Sequence, residues 1–210
     1  RRLLLRPRHG PPAGSAVSAA THRSLHREGV LLLLLPVLAE QSDRFISFTL
    51  DLPRLTAFSL GKSCFNSSTE ANCALELESL PQLAELSFPH HAFENYSQLR
   101  CAFLPRLECA FFLYCTFNGK GTNTLLDLSP CPSIKRLFFS SYSFAYFTSL
   151  NLTGLIALTS LSIDSSCFNG LSPSVFQLEG LTALTTLSIS ANSFSGATSF
   201  SFKGTSSSFS

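Results

Sequence analysis

An apolar pattern recurs six times along the chain and ends each time in phenylalanine. Its last copy runs from Leu181 to Phe194 as L-x-x-L-x-x-L-x-I-x-x-N-x-F. The copies begin at residues 52, 80, 104, 131, 155 and 181, so their spacings are 28, 24, 27, 24 and 26 residues. Spacings of this size are typical of one coil of a solenoid. The pattern therefore predicts a repeat solenoid of about six coils.

Each coil contains two short strands, which are indicated by alternating apolar and polar residues. In the last copy Leu187 and Ile189 point to one face of a strand, whereas Ser188 and Ser190 point to the other. A second alternating segment occurs in every coil, at Leu75/Leu77, Leu99/Cys101, Leu126/Leu128, Leu150/Leu152, Phe176/Leu178 and Phe200/Phe202. Two such strands per coil can enclose a core between two parallel sheets when the coils stack.

The closing phenylalanines are expected to stack inside that core. They are Phe65, Phe93, Phe117, Phe144, Phe168 and Phe194. The composition agrees, because 20 Phe with only 13% charged residues indicate a packed interior under a surface rich in Ser and Thr.

The repeated pattern resembles the leucine-rich repeat, whose signature is L-x-x-L-x-L-x-x-N/C-x-L. The residues that match it are Leu184, Leu187, Ile189, Asn192 and Phe194, and the resemblance covers residues 52 to about 205. The small residue before each closing phenylalanine is most similar to the BspA-like members, which occur on surface proteins of bacteria and protists. Those small residues are Cys64, Ala92, Thr116, Ser143, Cys167 and Ser193. The resemblance implies a β-rich stack of leucine-rich-repeat coils, an α/β horseshoe-type superhelix with two short strands per coil and little helix.

The asparagine position departs from the family pattern. In most copies it holds another residue: Ser63, His91, Cys115, Tyr142 or Ser166. Only Asn192 and Cys115 are therefore candidates for the buried ladder of side chains that usually binds the backbone there. We expect the turns to rely on other partners.

Residues 1–45 lack the repeat and are predicted to be a disordered leader, followed by the solenoid over residues 46–210. The leader is rich in arginine and contains an apolar run of ten residues from Val30 to Ala39, interrupted only by Pro36. This run is too short to span a bilayer, which takes about 20 residues, but it suits the apolar region of a secretory signal. A transit peptide and an artefact of an untranslated region are the alternative interpretations. Because no polar capping coil follows Phe202, we expect truncation at the C-terminus.

Charge argues against a nucleic-acid partner. From Gln41 onward there are nine Lys and Arg against eleven Asp and Glu, so the formal charge of +2 comes from the leader. A solenoid with a slightly negative balance lacks the basic surface that nucleic-acid binding requires.

Cysteines and sequons carry weaker signals. Cys101 and Cys131 take core-facing positions as small hydrophobic residues, and Cys109 and Cys115 have no zinc-site spacing. Cys64 and Cys73 flank one loop and are the candidate pair for a disulfide bond if the protein is secreted. Three N-x-S/T sequons predict glycosylation at Asn66, Asn95 and Asn151.

No catalytic motif for a nucleophile, a phosphate loop or a zinc protease is present in the sequence. The stretch from Gly119 to Thr122 is interpreted as a loop insertion, and His90 and His91 as turn residues. We therefore expect no enzyme activity, no cofactor, no metal and no small-molecule substrate, and this segment shows no membrane attachment.

One apolar cluster is predicted on the outer face of the first strands. Most coils hold small or polar residues there, but Phe111, Leu113 and Phe138 lie side by side, with Arg136 and Glu108 beside them. Such clusters usually mark contact sites. The alternative is a register slip that turns Phe111 inward and Ala110 outward.

These observations favour a non-catalytic protein-interaction or adhesion module, extracellular or on the cell surface. The alternative is an intracellular scaffold or recognition segment of a larger cytoplasmic protein.

Overall fold

The computed structural model describes residues 30–33, 54–60, 74–119, 124–170 and 174–203. These residues form a parallel β-solenoid of about five turns and contain no helix. The strands in chain order are β1 Val30–Leu33, β2 Ala57–Leu60, β3 Ala74–Glu78, β4 Glu85–Phe88, β5 Gln98–Ala102, β6 Cys109–Phe112, β7 Leu125–Asp127, β8 Arg136–Phe139, β9 Ser149–Asn151, β10 Ser160–Ile163, β11 Val175–Glu179, β12 Thr186–Ile189 and β13 Ser199–Lys203.

The strands build two parallel sheets. The first sheet has the order β1-β2-β4-β6-β8-β10-β12, and the second has the order β3-β5-β7-β9-β11-β13. Equivalent positions of successive coils are paired, as Leu137 is with Ala110 and with Leu161. A position in the repeat therefore becomes a column along the solenoid. This confirms the predicted stack of coils with two strands each, whereas the helical layer of an α/β horseshoe is missing from the described residues.

Strand β1 comes from the apolar run of the predicted leader. Val30 pairs with Ala57 and Leu33 with Leu60, so residues 30–33 extend the first sheet. The rest of residues 1–45 and the proposed Cys64 and Cys73 pair lie outside the described residues.

Two columns of phenylalanine fill the space between the sheets. The closing residues Phe93, Phe117 and Phe144 are stacked in sequence, with ring centroids 5.3 and 5.1 Å apart. A second column, from the ends of the first-sheet strands, meets the closing column edge to face, as at Phe112 and Phe144 with centroids 4.9 Å apart. Parallel-displaced and edge-to-face contacts are the arrangements that aromatic rings prefer. The predicted stacking is thus present wherever the closing residues are described.

The asparagine position of the repeat is a left-handed turn. The φ angle lies between 58° and 62° at all five described copies of this position, which are His91, Cys115, Tyr142, Ser166 and Asn192. Asn tolerates this conformation better than most residues. The expectation that Asn192 and Cys115 could form a buried ladder is wrong, because Asn192 is exposed and Cys115 is only half-buried.

A column of small polar residues supplies the missing bonds one position later. The Ser143 hydroxyl donates to the Leu113 carbonyl at 2.8 Å, and the Ser193 hydroxyl donates to the Asp164 carbonyl at 2.7 Å. The Cys167 thiol lies 3.2 Å from the Ser140 carbonyl. Each bond reaches back to the preceding coil. Since buried carbonyls need partners, these short side chains join the coils at the turns.

Candidate interaction surface

Phe111 and Phe138 are directly paired across neighbouring strands of the first sheet. The register aligns Phe111 of β6 with Phe138 of β8, and both side chains are half-buried on the outer face. Ala110 and Phe112, on either side of Phe111, are fully buried. The alternative register, with Phe111 inward and Ala110 outward, is therefore wrong.

Serine flanks this pair on both sides. Along the same column the first sheet carries Ser87 before Phe111 and Ser162 after Phe138, followed by Ser188. Leu113 lies two residues beyond Phe111 and is also half-buried. The structure thus brings together the three apolar residues that the sequence places here.

Two tyrosines that were not predicted from the sequence extend the apolar surface beyond the strand ends. Tyr114 is 38% exposed and Tyr142 is 46% exposed. Their ring centroids lie 5.6 Å apart at an interplanar angle of 70°, and His91 packs on Tyr114 at 5.5 Å. The available signal was two aromatic residues in the turns of adjacent coils. We call Phe111, Leu113, Phe138, Tyr114 and Tyr142 the aromatic patch.

The two predicted rim charges bind other partners rather than each other. Glu108 forms an ion pair with Lys135, with Oε1 and Nζ 3.0 Å apart. Arg136 directs Nε and Nη2 at the Cys109 sulfur, at 3.2 and 3.0 Å. The hydrogen bond to Cys109 raises the pKa of Arg136. Both charges lie at the strand starts, whereas the tyrosines lie at the strand ends.

The predicted glycosylation sites differ in accessibility. Asn95 is exposed in the turn after Phe93, although Ser97 of its sequon is fully buried. Asn151 in β9 is half-buried, and its Nδ2 donates to the Ser129 hydroxyl at 3.4 Å. Asn66 lies outside the described residues.

A second apolar surface lies where the second sheet turns back to the first. It is a groove of about 840 Å³ lined by Ser79, Pro81, Ala102, Phe103, Leu104, Pro105, Pro130 and Pro132. Phe103 is 77% exposed and has a φ of 55°. The groove was not predicted, although the prolines that follow Leu80, Leu104 and Cys131 are a signal for it.

Neither a cluster of metal ligands nor a membrane-spanning helix is present among the described residues. Within the described ranges, no three His, Cys, Asp or Glu side chains come together as a set of metal ligands. His90 and His91 lie in a turn as predicted, and His91 Nδ1 is 3.3 Å from Glu94 Oε2. None of the described residues belongs to a helix with the length and apolar character needed to cross a membrane.

Comparisons with protein-family models, with curated proteins and with solved structures find no match to this chain.

Proposed function

We propose that this chain is a non-catalytic protein-interaction or adhesion module that binds a protein partner through the aromatic patch. The observation that carries the proposal is the pairing of Phe111 with Phe138 on an outer face that is otherwise serine along the same column. Large aromatic residues on a rigid sheet lose little conformational entropy on binding. They also dominate the energetics of protein interfaces.

The surroundings of the patch suit a protein partner. The charged groups Glu108, Lys135 and Arg136 border it at the strand starts. Protein interfaces typically combine an apolar centre with a polar rim, and the rim charges set orientation more than affinity. Tyr114 and Tyr142 add hydroxyl groups at the opposite border, where a partner can be both packed and hydrogen-bonded.

The repeat itself is proposed to be a leucine-rich repeat of the BspA-like kind. Two features support this. The segment from Leu184 to Phe194 matches the family signature, and the small residue before the closing phenylalanine is buried in the described coils up to Cys167. The repeat departs from the family pattern at Asn192, which is exposed. The bonds to the backbone that this position usually supplies come instead from the column of Ser143, Cys167 and Ser193.

The proposed location is the cell surface or the extracellular space. It is supported by the basic residues of the leader and by the exposed Asn95, whereas the pairing of Val30–Leu33 with β2 is a feature that cleavage of the leader would remove. The alternative is an intracellular scaffold. Cleavage of the leader and a glycan on Asn95 after expression in a secretory host support the first location, while an intact leader and an unmodified Asn95 support the second.

The experiment that tests binding is capture of partners from a cell-surface extract. The double variant Phe111→Ser with Phe138→Ser removes the centre of the patch. We expect it to keep the melting temperature of the wild type within a few degrees and to weaken binding by at least about 2 kcal/mol, roughly 30-fold. The matched control, Leu125→Ser with Val175→Ser, removes two apolar side chains from the outer face of the second sheet and is expected to bind like the wild type. A folded patch variant that captures the same partners equally well would place the binding surface elsewhere.

A further inference from the structure

One phenylalanine of the solenoid is exposed at a position where the backbone disfavours a large side chain. Phe103 lies in the turn between β5 and β6, where it is 77% exposed and has a φ of 55°. The other described phenylalanines with positive φ are closing residues, which pack in the ring column. In two later coils the equivalent residues are Gly154 and Gly180, which adopt a positive φ without strain. Strained residues of this kind are concentrated at binding and switch sites.

The exposed ring belongs to the apolar groove at the turn from the second sheet to the first. The lining residues come from three consecutive coils and form two columns, Ser79, Phe103 and Pro130 in one and Pro81, Pro105 and Pro132 in the other. All of these residues are exposed. Ile156, which is 60% exposed, continues the second column into the next coil. Proline has a fixed φ and no backbone N–H, so the walls of the groove are rigid and apolar.

The chemistry of the groove suits an aromatic side chain. Proline packs well against aromatic rings, which is how proline-rich segments bind to aromatic-lined grooves. The exposed ring at this surface is Phe103 of the same chain. A protruding ring and the groove that fits it therefore lie on one surface. A two-fold symmetric interface requires this self-complementary arrangement, because the same residues are presented by both copies.

The charges also fit a second copy. None of the described lining residues is ionisable, so two such grooves can meet without like-charge repulsion. Along the chain Glu78 comes before the groove residues of its coil, and Arg106 comes after those of the next coil. Arg106 is exposed, and its Nη1 donates to Gln82 Oε1 at 2.7 Å. A two-fold axis parallel to the solenoid exchanges the two borders, so Glu78 of one copy faces the border that carries Arg106 in the second copy.

We propose that this groove is the contact surface between two copies of the chain, in which Phe103 of each copy packs against the prolines of the other. Three coils span only about 10 Å, since neighbouring strands lie about 4.8 Å apart. An interface of this size is below about 1,200 Å² in total, so the dimer is expected to be weak, with a Kd on the order of 10 to 100 µM. The groove precedes the strands of the first sheet and Tyr114 and Tyr142 follow them, so the dimer leaves both aromatic patches open.

Sedimentation of the full chain, over concentrations that span this Kd, tests the proposal. We expect monomer at the low end and dimer at the high end. Phe103→Gly introduces the residue that two later coils carry, and it should raise the Kd at least about 30-fold. The melting temperature of dilute, monomeric protein should stay the same or rise in this variant, because glycine relieves the strain of the positive φ. A wild type that remains monomeric throughout overturns the proposal.

Two further variants separate this groove from the aromatic patch. Pro105→Ser changes the opposite wall and should also weaken the dimer. Phe111→Ser with Phe138→Ser leaves the groove intact, so it should dimerise like the wild type. Loss of the dimer in this double variant, with an unchanged Kd in Phe103→Gly, would assign the contact to the aromatic patch and overturn the proposal.

Cross-linking identifies what occupies the groove. Photoreactive benzoylphenylalanine is placed at position 103, and isotope-labelled and unlabelled chains are mixed before irradiation and digestion with trypsin. We expect cross-links from residues 101–106 of one copy to residues 63–100 or 121–135 of the other, which are separate tryptic peptides. Cross-links that stay within one chain contradict the proposal, because the occupant would then be another segment of the same molecule. The aromatic patch takes no part in this contact, so failure of the test leaves the proposed binding function standing.

Discussion

The rings of Phe117 and Phe144 lie parallel, with centroids 5.1 Å apart and an interplanar angle of 5°. Phe144 makes the same kind of contact with Phe168 in the next coil, at 5.6 Å and 9°. Each inner closing phenylalanine is therefore covered on both sides by a ring of the same type. This column couples one coil to the next through the whole described stack.

Phe144→Ala should consequently lower the free energy of unfolding by about 3 to 5 kcal/mol, the usual cost of emptying a large aromatic site. Phe194→Ala should cost less, because Phe194 is only partly buried and its column neighbour is Phe168. Chemical denaturation of both variants measures the difference. Equal effects below about 1 kcal/mol at both positions would contradict a stacked column.

The polar column predicts a second stability effect. Ser143 is fully buried; it donates to the Leu113 carbonyl and accepts from the Thr116 hydroxyl at 3.2 Å. Ser143→Ala leaves both groups without this partner, which should cost about 1 to 3 kcal/mol in denaturant unfolding. Ser162→Ala on the outer face is the matched control and should change stability by less than about 0.5 kcal/mol. If the two variants had the same free energy of unfolding, the hydroxyl hydrogen bonds would not stabilise the turns.

Adding a side chain at Gly119 is expected to cause a clash with the preceding coil. A Cβ added there would lie 2.4 Å from the carbonyl carbon of Tyr96 in the preceding coil. Gly119→Ala should therefore push two coils apart and cost about 1 to 3 kcal/mol or more. Gly154→Ala meets no atom within 4 Å, so its cost is limited to the positive φ of 75° at that position, about 1 kcal/mol. Thermal melting compares the two. A smaller loss at Gly119 than at Gly154 would contradict the close approach.

Cysteine chemistry predicts a dependence on pH. Burial raises the pKa of Cys167 from 9.0 to about 12. The unfolded chain therefore loses this proton first, and ionisation favours the unfolded state increasingly from about pH 9 until about pH 12. Cys167→Ser should lose less stability between pH 8 and pH 10.5 than the wild type. Parallel losses in the two proteins would argue against a buried neutral thiol.

Thiol labelling gives an independent measurement of the same site. At pH 8 a group with a pKa of about 12 is ionised in about one molecule in 10⁴. We expect folded protein to react with iodoacetamide at the half-buried Cys115 at least about 100-fold faster than at Cys167. Peptide mapping distinguishes the two, since Lys120 and Lys135 lie between them.

The last described coil should open most readily. Ile189 is 42% exposed and Phe200 is 44% exposed, whereas their counterparts Ile163 and Phe176 are fully buried. Amide exchange should therefore be faster beyond Leu181 than over residues 104–168. Mass spectrometry of exchanged peptides measures this. Equal protection in both segments would mean that another part of the molecule covers the last coil.

The sequence by itself determined the repeat length, the two strands per coil and the inward or outward direction of the residues in β2 to β13, but it did not indicate strand β1. These features are local, because side chains alternate along a strand and the pattern recurs at a nearly constant spacing. The outward position of Phe111 beside Phe138 followed from the same rule. The stacking of the closing phenylalanines followed once the copies were aligned.

Only the tertiary structure decided how the turns are held. The column of Ser143 and Cys167 and the close approach at Gly119 depend on the backbone of a neighbouring coil. The same is true of the contact between Tyr114 and Tyr142. Each of these contacts joins residues more than 20 positions apart. The alternation of residues within one coil does not indicate which turn atoms of the next coil a side chain will contact.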